Sequence, residues 1–587
     1  WAREMHREQI TLSSGKFVNS SYTGTSSNRA NPFVILSPEN TCETSGSCIS
    51  CNLIYSGNHY EALEKDSYGK FRFVAGINPR SFSWQLAPGE AFYTPEAVLN
   101  FSADGFRGLS GQLHSFIREH IVRGVWKHKP RPVLLNSWEA CYFKIDEKKL
   151  LQLAKAGKDA GIELFVMDDG WFLGRNNDTS SLGDWEPDPK KLPGGIASLS
   201  KKIKELGMDF GIWVEPEMIS ENSNLYKGHP DWAMKIPGHP HSEGRNQCIL
   251  DLCNPEVRKY VIEEMTRVFS SGEIRYVKWD MNRNFSDIYS PYLPAAKQGE
   301  TAHRYVLGLY QIMEELTTRF PKILFEGCSA GGNRFDLGIL CYFPQIWASD
   351  NTDALCRTGI QNSYSYGYPL SVFTAHVSSC PNHQTLRITP LETRFQVASF
   401  GILGYECNLK DLSGSDLNAI REQIALYKKW RDVFQFGTFY RGTENEDSDS
   451  ETLSWTCVSP DGRRAVGLFF RRLTTPNQSH DWYRPVGLLP DVKYHFYGRN
   501  IKYNLKDFGD LVNTVSPVHI KQGSALQEIL SRFVNMDGEK EDLTAYGDTL
   551  MLAGIALKPA FAGTGYNSDT RLFPDFSSRI YFMEAVE

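Results

Sequence analysis

The chain has 587 residues, 41% of them hydrophobic, with 63 basic against 69 acidic side chains and a formal net charge of −6. That length exceeds a single core and predicts two or three domains of an ordinary soluble globular protein. The charges are interspersed rather than blocked, which argues against nucleic acid or an anionic membrane as partner, and no apolar run is long enough to span a bilayer.

Residues 1–127 read as β structure. Short alternating runs at Asn52–Tyr55, Phe71–Val74 and Ser81–Leu86 are punctuated by Gly, Pro, Asn and Ser, and the first helix is expected at His114–Val122. This is the pattern of a partial β-sandwich followed by a linker helix. Of the twelve cysteines, Cys48 and Cys51 form a C-x-x-C without a second ligand pair at zinc spacing, so buried thiols or a local disulfide are expected rather than a metal. No signal peptide is visible in the chain, and neither the cysteines nor the sequons at Asn19, Asn100, Asn177, Asn284 and Asn477 separate a cytoplasmic from a secreted protein.

Over residues 128–434 the pattern changes to strands alternating with amphipathic helices. Strands are expected at Pro132–Trp138, Ile162–Asp168, Asp209–Val214, Arg275–Asp280, Ile323–Cys328, Gln345–Asp350, Ser371–Val377 and Ser399–Tyr405. Helices are expected at Asp146–Ala160, Ile196–Leu206, Pro255–Phe269, Thr301–Phe320 and Asp416–Trp430. Eight such units without a Gly-rich phosphate loop predict an α/β fold, a (β/α)8 TIM barrel rather than a doubly wound sheet. Residues 435–587 return to short alternating segments, Thr452–Cys457, Ala465–Phe470 and Arg579–Met583 among them. They predict a C-terminal antiparallel β domain of sandwich type, with an insertion near Leu505–Asp542.

In such a barrel the chemistry sits at the C-terminal ends of the strands. Six expected strand ends carry carboxylates: Glu139, Asp168 with Asp169, Glu215 with Glu217, Asp280, Glu326 and Asp350. Tryptophans accompany five of them, Trp138, Trp171, Trp213, Trp279 and Trp347. A lone strand-end carboxylate is commonly a helix cap, but this coincidence is not. Lys278 and Asp280 share one face of their strand, so the cation keeps the carboxylate ionised, as a nucleophile requires. Carboxylates with aromatics suit glycoside hydrolysis, one group attacking and another protonating the leaving oxygen. A divalent-metal site is the competing arrangement. It is disfavoured by the adjacent lysine and the absence of a clustered histidine pair, so neither metal nor cofactor is expected.

These runs also resemble a known family. Leu135–Tyr142, Glu163–Trp171, Gly211–Met218, His229–Trp232, Gly244–Gln247, Lys278–Arg283, Phe325–Ser329, Ser349–Ala354 and Pro381–Thr385 are together similar to the α-galactosidases of glycoside hydrolase family 36. The resemblance implies a retaining exo-α-galactosidase acting on melibiose- and raffinose-type galactosides, with Asp280 as nucleophile and Asp350 as acid/base. It implies that Asp168 and Asp169 hold O4 and O6 of galactose, that Lys278, Arg245 and Asn282 are further substrate ligands, that Cys328 lies near O2, and that Trp138 and Trp213 wall the subsite. Ala330 stands where the family often has glycine, and its methyl is expected to favour galactose over N-acetylgalactosamine. The N-terminal β region is shorter than in family members generally. In some tetrameric relatives the missing part reaches a neighbour's active site, so a homo-oligomer is an assembly the resemblance allows. The rival functions are an α-N-acetylgalactosaminidase, a raffinose-synthase-like galactosyltransferase and a sugar-binding protein without catalysis; the presence of both Asp280 and Asp350 disfavours the last.

Overall fold

The computed structural model describes residues 6–242, 244–442, 450–475, 481–514, 516–558 and 571–586. Its described part divides into two compact units, Trp1–Leu386 with Ala398–Lys429, and Arg387–Val397 with Trp430–Glu587.

The first unit is built on a closed eight-stranded barrel whose strands follow one another around the ring in chain order. They are Leu134–Asn136, Leu164–Met167, Asp209–Val214, Ile274–Trp279, Leu324–Gly327, Gln345–Trp347, Phe373–Val377 and Ile402–Tyr405, all paired in parallel. Each falls within or at the edge of a stretch expected from the sequence. Helices follow at Glu147–Ala160, Gly195–Glu205, Pro255–Ser270 and Thr301–Arg319. Local chemistry sets their ends. Asp146 accepts from the Lys149 amide and Asn254 from the Glu256 amide, capping orphan N–H groups, and Gly161 closes the first of these helices at φ 97°.

Strand alternation decides what fills the barrel. Leu134, Leu164, Val166, Tyr276 and Leu324 form one buried apolar cluster with Trp126, whose Nε1 donates to the Ile323 carbonyl at 3.1 Å. Two residues further along the same faces stand Asn136, Asp168, Lys278 and Glu326, and beyond them Asp280 and Cys328. An apolar floor therefore lies under a polar layer, and the charged groups are forced to pair with one another.

Two antiparallel three-stranded sheets precede the barrel: Gly15–Ser20, His59–Lys65 and Phe71–Ile77 in one, Phe33–Leu36, Cys48–Ile54 and Glu96–Ser102 in the other. Ser81–Leu86 is not the strand its alternation predicts. Ser81 has φ 54°, the Ser83 and Gln85 amides donate to Gly299 O and Glu300 Oε1 rather than to a sheet neighbour, and Phe82 and Trp84 pack on His303. The first helix starts earlier than expected, at Gly105 and running to Phe116 before a π turn at Ile117–Ile121. Gly105, Gly108 and Gly111 conceal it from propensity. A side chain at Gly105 would lie 2.2 Å from Cys42 O, so close packing, not helix preference, selects glycine there. All twelve cysteines are free thiols, with Cys48 and Cys51 buried.

The segment Ser26–Asn31 braces the loop after the fifth barrel strand. Ser27 Oγ donates to Gly332 O at 2.6 Å, Asn28 Nδ2 to Asn333 Oδ1 at 2.7 Å, and Ser26 and Ser56 both donate to Asp336. Behind the same loop, Arg334 forks onto Glu217 at 2.7 and 2.9 Å, and Glu217 also accepts from Trp279 Nε1 and the Tyr305 hydroxyl. Both charged side chains are almost wholly buried, 3% and 0% exposed. Arg334→Met is accordingly expected to destabilise the barrel by about 3–5 kcal/mol, because the stranded carboxylate cannot be rehydrated. A fall in the thermal midpoint by calorimetry checks this, and an unchanged midpoint would refute it.

The second unit carries a six-stranded antiparallel sheet in the order Thr438–Arg441, Thr452–Val458, Arg464–Arg471, Ser577–Ala585, Lys493–Gly498, Asp542–Tyr546. The insertion expected near Leu505–Asp542 contains Leu505–Thr514 and helix Ala525–Phe533, bounded by the paired strands Lys502–Asn504 and Asn535–Asp537. Among the described residues no helix is long and apolar enough to cross a membrane.

Candidate active site

Asp280 ends the fourth strand, anchored by its amide on Val214 O at 2.8 Å. Four N–H donors converge on its carboxylate. Met281 N and Ala330 N reach Oδ1 at 2.8 and 3.2 Å, and Asn282 Nδ2 and Trp213 Nε1 reach Oδ2 at 2.8 and 3.2 Å. Burial by itself pushes this carboxyl up, but the Lys278 charge and the hydrogen bonds from Cys328, Asn282 and Met281 outweigh it and hold it below the usual range. The group is a buried, ionised carboxylate.

Asp350 lies three residues beyond the sixth strand, which ends at Trp347 and not at Asp350 as its sequence run suggests. Trp347 Nε1 donates to its Oδ1 at 2.8 Å, and its carboxyl is pushed up, first by burial and then by the charge of Asp280. The loop Cys328–Gly332 joins the two acids. Ala330, at φ 48°, turns its amide onto Asp280, while a side chain on Gly331 would lie 2.3 Å from the Asp350 amide and 3.0 Å from its Oδ1. Adjacent residues thus touch both carboxylates. The two carboxyls act on one another electrostatically and are displaced in opposite directions, the division expected of a base or nucleophile and an acid.

Below them Lys278 donates to Asp168 Oδ2 at 3.1 Å, an oxygen that also accepts from Asn136 Nδ2 at 2.6 Å. Asp169 is clasped by Arg175, whose Nε and Nη2 approach its oxygens at 2.8–3.2 Å. Burial nevertheless keeps the Asp169 carboxyl above its ordinary value. Glu215 lies behind the nucleophile position, accepting from Gln247 Nε2 and Asn282 N, and is pushed up to about 8 by burial and by Asp280. It therefore holds Asn282 without adding a second full negative charge.

Of the residues singled out in the sequence, Asp168, Asp169, Trp213, Lys278, Asp280, Asn282, Cys328 and Asp350 are linked through these contacts. Trp138 opens a short helical turn, Trp138–Cys141, instead of ending the strand, and stands half-buried at 5.2–5.3 Å from the rings of Tyr142 and Phe143. Arg245 is exposed, at φ 54°, beside Gly244, where an added side chain would lie 2.9 Å from Arg283 Nε.

Sequence reasoning missed Arg175 and Glu406. Glu406, after the eighth strand, contacts His376 Nδ1 at 3.1 Å and is pushed up to about 8 by burial and by Glu139. The strand-end rule that found the other carboxylates would have found Tyr405-Glu406 too. Arg175 carries no local signal. Among the described residues one group has metal-ligand proximity: Glu221, His241 and Cys248, within 4.8 Å of one another, and it includes none of the barrel-end carboxylates.

Comparison with known proteins identifies the family to which these domains are similar. Residues 1–87 match the glycosyl hydrolase family 36 N-terminal domain, 91–437 the family described as melibiase, and 452–583 the family 36 C-terminal domain. The chain is 45% identical over 501 residues to alpha-galactosidase AgaA of Geobacillus stearothermophilus, covering 85% of this chain and 68% of that one. It is 46% identical over 493 residues to alpha-galactosidase Mel36A of Lactobacillus acidophilus, covering 84% and 67%. The crystal structure of AgaA superposes with a TM-score of 0.88 at 41% identity over 100% of this chain and 74% of its own. Variants of AgaA have been crystallised with raffinose and with stachyose.

Proposed function

The chain belongs to glycosyl hydrolase family 36 and is an α-galactosidase, and we propose that Asp280 is its nucleophile and Asp350 its general acid and base. The observation that carries these roles is the shared Cys328–Gly332 loop, whose adjacent residues Ala330 and Gly331 lie against an ionised carboxylate and against a carboxyl whose pKa is raised. Asp280 attacks the anomeric carbon while Asp350 protonates the departing oxygen. Water deprotonated by Asp350 then releases galactose from the covalent intermediate, with net retention. Asp168, with Lys278 and Asn136 on one oxygen, keeps the other for a sugar hydroxyl and the Asp169 amide. Raffinose and stachyose, the ligands of AgaA, are the substrates we assign to this chain. Proton NMR of freshly started hydrolysis tests the pathway: α-galactose is expected to form first and mutarotate later, and β-galactose as first product would overturn it.

Lys278 sets the pH window. Its charge lowers the pKa of Asp280 and also opposes the rise at Asp350. Activity requires ionised Asp280 and protonated Asp350, so it falls as pH drops through the first and as pH climbs through the second. Lys278→Met removes the cation from both, and both limbs of the kcat/KM profile are expected to move to higher pH. The height of the profile should also drop, about 10- to 100-fold, for loss of a charged hydrogen-bond donor. A profile lowered but unmoved would show that Lys278 binds sugar without tuning either acid.

A further inference from the structure

Glu139 follows Trp138 on the helical turn after the first barrel strand and is buried, its side chain 2% exposed. It accepts from the Ser379 amide at 3.0 Å and lies 2.9 Å from His383 Nδ1. The histidine is 32% exposed. Its Nδ1 is thereby committed inward and carries the proton that Glu139 accepts, which leaves Nε2 as the edge facing out. The next residue, Gln384, donates through Nε2 to the Asp350 carbonyl at 2.8 Å, so this segment is tied to the backbone that carries the acid/base group. Asp350 is also among the charges that act on His383.

A group that protonates the leaving oxygen stands between galactose and whatever that oxygen is attached to. An imidazole fixed beside Asp350 at the barrel mouth, with one nitrogen turned outward, therefore meets the departing part of the substrate rather than the galactose. We propose that His383, held by Glu139, binds a hydroxyl of the sugar joined to galactose and so selects saccharide over aryl leaving groups. Neutral Nε2 accepts and protonated Nε2 donates, and a hydroxyl can answer either. The proposal rests on the α-galactosidase reading.

The test compares kcat/KM on raffinose and on 4-nitrophenyl α-galactoside for the unsubstituted chain, His383→Ala, His383→Gln and Glu139→Gln. The raffinose-to-aryl ratio is expected to fall about 10-fold or more in His383→Ala, since a sugar hydroxyl loses its partner and a nitrophenyl ring does not. His383→Gln, which keeps a side chain able to pair with a hydroxyl, should recover part of it. Glu139→Gln should give an intermediate ratio, because the imidazole is present but less firmly held. An unchanged ratio, or a parallel loss on both substrates, would make the Glu139–His383 pair structural and overturn the proposal. No turnover of either substrate by the unsubstituted chain would overturn the activity itself, and this proposal with it.

Discussion

Asp280→Ala is expected to lower turnover of 4-nitrophenyl α-galactoside by on the order of 10⁴- to 10⁶-fold, and added azide is expected to restore part of it as β-galactosyl azide. The size follows from the role: without the carboxylate there is no covalent intermediate, and water must attack unaided. Rescue follows from the surroundings. Removing the side chain leaves Trp213 Nε1, Met281 N, Asn282 Nδ2 and Ala330 N aimed at the emptied space, with Lys278 beneath. A small anion is the ligand such a cradle accepts. It attacks from the face opposite the leaving oxygen, which inverts the configuration. Unchanged turnover would remove Asp280 from the mechanism, and an α-configured azide would place the nucleophile elsewhere.

The main features of this arrangement were legible in the sequence because they depend on periodicity. Once Ile274–Trp279 is a strand, Lys278 and Asp280 must share a face, and once eight such strands close, their ends must meet. Contacts that depend on a turn of loop were not legible. Arg175 reaches Asp169 from within an irregular segment, and Ser26 reaches Asp336 across 310 positions of chain. No spacing rule encodes either, since each is fixed only after the barrel has placed both partners. The Ser81–Leu86 run fails for a related reason: alternation reports that a segment is half-buried, and here the burying surface is the start of helix Thr301–Arg319 rather than a sheet. Trp138 shows the limit at a single residue. Its strand ends at Asn136, whose side-chain oxygen accepts the Trp138 amide at 2.7 Å and starts a helical turn. The ring that the sequence places at a strand end therefore stands on that turn, next to the glutamate that holds His383.

The same reasoning separates the acid from the nucleophile. Asp350→Ala is expected to slow raffinose hydrolysis by about 10²- to 10⁴-fold, the usual worth of a positioned proton donor, while 2,4-dinitrophenyl α-galactoside, whose leaving oxygen needs no proton, loses far less in the first step. Burial and the charge of Asp280 keep this carboxyl protonated above its ordinary range, so in the unsubstituted enzyme activity declines as pH rises through that raised value. The alkaline limb belongs to Asp350 and should disappear from the profile of the variant, while the acid limb, set by Asp280, remains. Azide distinguishes the two sites once more. In Asp350→Ala the covalent galactosyl-Asp280 still forms, and an anion that needs no general base attacks it from the face the leaving group vacated, giving α-galactosyl azide. The two variants are thus expected to yield azides of opposite configuration from one substrate. If both gave the β product, Asp350 would have no part in the second displacement, and the roles assigned to the two aspartates could not both stand.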